Sequence, residues 1–117
     1  MSKNEIRKIA AKIAAMCNAE SVILFGSHAR GDAREDSDVD LLIIAESDLP
    51  RFKRTRELYR RIRPYPFPMD LIVYTPQEIE RGKKSRVSFV SRVLREGEVL
   101  YERGNRHRPS VGDEGAK

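Results

Sequence analysis

The chain has no tryptophan, one cysteine and only two histidines in 117 residues. A single thiol cannot close an intramolecular disulfide, and Cys17 reads as a small apolar residue near the end of a helix. Two imidazoles and one thiol fall short of the usual zinc ligand set. Long apolar runs are missing too. No segment is expected to cross a membrane, no leader is visible, and a lone cysteine suits a reducing interior, so the cytoplasm is the expected setting. Charge is abundant: 23 lysines and arginines stand against 18 acids, giving a net charge of +5 and a pI near 9.6. That balance admits binding to a polyanion through its phosphates, but no aromatic platform for stacking bases is apparent.

The length allows one domain with a single modest core, and none to spare for a separate recognition module. Ser2 to Glu5 has capping-box spacing, and Ile6, Ile9, Ile13 and Met16 then mark one face of a first helix that Asn18 can stop. Ser21 to Phe25 and Val39 to Ile44 read as buried strands. Ser47-Asp48-Leu49-Pro50 predicts the start of a second helix carrying Arg51, Lys53, Arg54, Arg56, Arg60, Arg61 and Arg63 around a narrow apolar stripe, a broad cationic surface. Three prolines at 64, 66 and 68 precede a strand from Met69 to Tyr74. Thr75-Pro76-Gln77-Glu78 opens another capped helix, which Gly82 breaks before Ser85 to Arg95 resumes it with Val87, Val90, Val93 and Leu94 inward. Glu98 to Tyr101 is a closing strand. Residues 1–101 therefore read as one α/β domain, of α+β type, and 102–117 as a disordered polar tail containing His107.

Two aspartates one residue apart, Asp38 and Asp40, open the second strand. An extended chain rises about 3.3 Å per residue with alternating sides, so both point the same way with α-carbons roughly 6.5 Å apart. Two such carboxylates can share a hard dication, and a buried unpaired Asp40 would otherwise cost free energy. A third aspartate, Asp70, heads the next strand. If the two strands are neighbours, the three acids repel one another unless dications bridge them, as in two-metal phosphoryl-transfer sites. Ahead of them, Gly26 and Ser27 leave the first strand in a tight turn. Amides at such a turn point outward and bind anionic oxygens, and the Ser27 hydroxyl adds a donor. Arg30 has two roles open to it: contacting phosphate, or pinning the loop to the acidic segment Asp32 to Asp36. His28 reads as a solvent-facing imidazole.

Together, Gly26-Ser27-His28-Ala29-Arg30-Gly31 and Ser37-Asp38-Val39-Asp40-Leu41-Leu42, with Asp70 downstream, closely resemble the signature of the DNA polymerase beta nucleotidyltransferase superfamily. The branch they resemble is the minimal nucleotidyltransferase (MNT) domain of the MntA-like antitoxin type, over residues 5 to 101. The resemblance implies a mixed β-sheet flanked by helices. It implies that Gly26, Ser27 and Arg30 bind a nucleoside triphosphate, that Asp38, Asp40 and Asp70 hold two Mg2+ ions, and that Asp70 helps take the proton from an attacking hydroxyl. The implied reaction moves AMP from ATP to a hydroxyl acceptor, a tyrosine of a HEPN-type toxin partner being the best supported. An aminoglycoside-like small molecule, a purely sequestering antitoxin and a nucleic-acid binder are the alternatives. Association with another chain, the same or different, is expected through the apolar surface of so small a domain.

Overall fold

A computed structural model describes residues 2–104. The elements run α1 (Lys3–Cys17), β1 (Ser21–Phe25), α2 (Ser27–Arg30), β2 (Val39–Ile44), a 3-10 turn (Arg51–Lys53), α3 (Arg56–Arg61), β3 (Met69–Tyr74), α4 (Pro76–Gly82), α5 (Phe89–Glu96) and β4 (Glu98–Glu102). The expected tail from 105 onward, with His107, lies outside the described residues.

Local chemistry explains the helix ends. Ser2 and Glu5 form the capping box of α1, and Asn18 ends it in the left-handed conformation at φ 52°. Thr75 and Glu78 form a second box, with Pro76 in the first turn of α4.

The four strands form one mixed sheet in the order β3-β2-β1-β4. β1 pairs antiparallel with β2 and with β4, whereas β2 and β3 run parallel, as the short α3 crossover requires. Strand alternation divides the core into two layers. On one face α1 places Ile6, Ile9 and Ile13 on Val22, Leu24, Leu41, Ile43 and Val73. On the other, Ile79 of α4 and Val90 and Val93 of α5 cover Ile23, Leu42 and Ile44, with Phe25, Ile72, Tyr74 and Phe89 at the margin. Asp40 and Asp70 fall in the second alternation set, so the acids belong to the α5 side of the sheet.

Two expected helices are corrected. The helix foreseen from Ser47 is split into the 3-10 turn and the six-residue α3. At the break the Arg54 guanidinium is drawn inward: Nε donates to Leu49 O at 2.8 Å and Nη1 to Val73 O at 3.1 Å and Glu78 Oε1 at 2.6 Å. Its side chain is only 8% exposed, so the broad cationic surface loses one of its members to a buried ion pair. Arg51 stays exposed while its guanidinium stacks 4.2 Å above the ring centroid of Tyr74.

The helix foreseen from Ser85 begins instead at Phe89. Ser88 caps it by accepting from Ser91 N at 3.0 Å, and gives its own hydroxyl to Gly82 O at 2.7 Å. Val87, expected inward, is consequently 91% exposed, and Leu94 is exposed as well.

β3 is an edge strand sealed by side chains. The Tyr59 hydroxyl accepts from Leu71 N at 2.8 Å and reaches Met69 O at 3.4 Å, while Arg54 covers Val73 O. Unpaired edge groups would otherwise offer a template for another strand.

Candidate active site

The register of the sheet assembles the site. Asp40 stands directly opposite Phe25 of β1 and beside Asp70 of β3, and Asp38 immediately precedes β2. Asp38 and Asp70 are exposed, whereas Asp40 is half-buried. The condition on which Asp70 joins Asp38 and Asp40, that its strand lies beside theirs, is fulfilled by the parallel β2–β3 pairing.

Electrostatics mark these carboxylates as neighbours. Burial raises the Asp40 carboxyl above the usual carboxylate range, the charges of Asp70 and Asp38 push it further, and His28 and Arg30 partly offset them. Among the described residues none of the three acids joins a salt bridge or accepts a side-chain hydrogen bond; Arg30 instead pairs with Asp32 at 3.4 Å. The side chains do not form a ready-made chelate either, since no group of three or more His, Cys, Asp or Glu residues among the described ones lies close enough to hold a metal ion. Hard oxygen donors on adjoining strand ends, repelling one another without a protein cation between them, are nonetheless the donor set a divalent ion such as Mg2+ takes.

Gly26 ties the turn to the acids. Its backbone sits at φ 75°, and a β-carbon there would collide with the Asp40 carboxylate, whose Cγ would stand 3.1 Å away. Both conformation and space therefore demand glycine. The carbonyl of Gly26 accepts from Ala29 N and Arg30 N at 3.1 and 3.0 Å, and that of Ser27 from Gly31 N and Asp32 N at 3.0 and 3.1 Å. With these carbonyls bonded within the short helix, its first amides have no partner inside the helix.

His28 was expected to face solvent, and this is corrected. The ring is half-buried, with Nε2 3.1 Å from Ser37 O, so it tethers the loop that delivers Asp38. The same loop is closed by Arg34 N donating to Ser37 Oγ at 2.8 Å and Ser37 N to Arg34 O at 3.0 Å. A lone histidine in a glycine turn carries no sign of this contact in sequence, because its acceptor is a backbone carbonyl nine residues on. Of the two roles open to Arg30, the structure shows the contact with the acidic loop.

Comparison with known proteins bears on this arrangement directly. The profile of the nucleotidyltransferase domain family matches residues 3–100. A protein of Methanocaldococcus jannaschii, provisionally named a protein adenylyltransferase, is 39% identical over 83 residues, covering 70% of this chain and 78% of the relative. A second protein of that organism and name is 36% identical over 91 residues, covering 73% and 60%. In structure, the chain resembles a nucleotidyltransferase of Sulfolobus solfataricus with a TM-score of 0.60 at 25% identity, covering 86% of this chain and 79% of the other. It also shares its fold with a chain of a toxin–antitoxin crystal structure containing AMP-PNP, with a TM-score of 0.56 at 19% identity and coverage of 85% and 75%. With a glycine turn and three aspartates at the heads of neighbouring strands inside the matched span, the chain belongs to the nucleotidyltransferase domain family.

Proposed function

We propose that the protein transfers AMP from ATP to a hydroxyl of another protein, a tyrosine of a HEPN-type toxin, and thereby acts as its antitoxin inside the cell. The observation that carries this reading is the register pairing of Asp40 with Asp70 beside the Gly26 turn. The curated relatives provisionally named protein adenylyltransferases support the acceptor class, and the toxin–antitoxin fold neighbour agrees with the partner.

In this reading Gly26, Ser27 and Arg30 hold the phosphates, and Asp38, Asp40 and Asp70 hold two Mg2+ ions. When bound, magnesium neutralises charge on the triphosphate and eases ionisation of the acceptor. Asp70, exposed on the edge strand, takes the acceptor proton. The acceptor oxygen bonds to the α-phosphorus as the bond to the β-phosphate oxygen breaks, and pyrophosphate leaves with that electron pair. Ser27 and the first amides of α2 stabilise the leaving charge.

Incubation with labelled ATP, magnesium and a HEPN-type partner tests the proposal. Label should appear on the partner, and Asp38→Ala or Asp70→Ala should cut transfer at least about a hundredfold with the fold retained. Full transfer by either variant, or inhibition of the partner without any label, would sink it.

A further inference from the structure

A cavity of about 290 Å³ adjoins the glycine turn on the α5 side of the sheet, the side that also carries the acids. Phe25, Gly26, Arg30, Phe89, Arg92 and Glu96 contribute to its walls. Two arginines from different elements thus line one cavity with Gly26, the residue read as the phosphate anchor. We propose that Arg92 is a further substrate-binding residue, which together with Arg30 grips the terminal phosphates of the nucleoside triphosphate and holds them as pyrophosphate departs.

The helix that carries Arg92 is fixed from both sides. Val90 and Val93 are buried against the sheet, and Phe89 packs edge-on against Phe25 with ring centroids 5.4 Å apart. At the far end of α5, Gly97 lets the chain close on β1; a β-carbon there would stand 2.7 Å from Ile23 Cγ2 and 2.9 Å from Leu24 O. A helix held this way keeps the base of the Arg92 side chain at the cavity wall.

The charge on Arg92 is uncommitted. Glu96, one helical turn on, is its natural i,i+4 partner, yet among the described residues no ion pair joins them and Arg92 enters no salt bridge. Nor does it serve the acids: the cations acting on Asp40 are His28 and Arg30. Arg92 is exposed and its charge is open to an anion that enters the cavity. A guanidinium fork matches phosphate oxygens in a bidentate way that a lysine does not, and two such forks suit the highly charged end of a triphosphate.

This inference rests on the nucleotide-binding reading above, and the test separates the two. Binding of ATP, pyrophosphate and AMP to the full chain is measured by calorimetry with magnesium present. Arg92→Ala should weaken ATP and pyrophosphate about tenfold while leaving AMP unchanged, and Arg92→Lys should recover part of the loss. Arg95→Ala, on the same helix but outside the cavity, should bind all three like the wild type. Pyrophosphate binding that is indifferent to Arg92→Ala, or that falls equally in Arg95→Ala, overturns the role of Arg92 alone. Failure of the wild type to bind ATP overturns the nucleotide reading and this inference with it.

Discussion

Gly26 and Asp40 form a matched pair, each setting what the other position can hold. Gly26→Ala must place a β-carbon in the left-handed region and against the Asp40 carboxylate. We expect it to cost about 1–3 kcal/mol in urea unfolding and to reduce transfer sharply, because the turn or the acid must shift. Asp40 itself is a liability to the fold. Its folded pKa lies above the unfolded value, so the stability tied to its bound proton is present below the ordinary carboxylate range and is lost as pH rises through the folded value. At neutral pH the repelling charges remain. Asp40→Asn, measured with a chelator present, should therefore melt higher than the wild type at pH 7, and the gap should close in acid. An unchanged melting temperature at pH 7 would show that the acids do not strain the fold. Such a gain at the expense of activity is the ordinary trade at a reactive site.

Among the elements, the junction of the 3-10 turn, β3 and α4 holds the largest electrostatic commitment. The Arg54 hydrogen bond, aided by Thr75 N and Arg51 against the opposing effect of burial, draws the Glu78 carboxyl down from 4.5 to about 2. A depressed carboxyl adds stability above its unfolded value, and that stability is lost as pH falls toward the folded one. Glu78→Gln leaves Arg54 buried without its counter-charge and should cost about 3 kcal/mol at pH 7. The difference should shrink as pH falls from 4.5 toward 2; a penalty independent of pH would assign Glu78 to helix capping alone. This junction also explains where sequence patterning stopped being informative. The caps at Ser2, Asn18 and Thr75 follow local rules and were legible, whereas a basic run looks the same whether its arginines meet water or a glutamate 24 residues on. Val87 misled for a related reason: the valine spacing fits a helix, but Ser88 spends its side chain capping a later start.

At the scale of the molecule, the strands and the reactive acids were readable because each strand is short, aliphatic and punctuated, and each acid heads one. Patterning alone left open whether β3 would lie beside β2; the mixed sheet was carried by the resemblance, and the register that sets Asp70 against Asp40 came only with the fold. The contribution of α5 was not readable at all. Phe89 and Arg92 reach the glycine turn only because a helix late in the chain packs across strands formed early in it.

The pairing of β4 with β1 has a practical corollary. Ser21 faces both Ile44 and Glu102, while Phe25 faces Asp40, so β4 runs out at the end of the sheet remote from the aspartates. Four residues of strand separate the two ends, roughly 13 Å. A reporter, resin or domain joined at Gly104 itself thus starts from the back of the molecule, and a protein immobilised there presents its reactive mouth to the bulk.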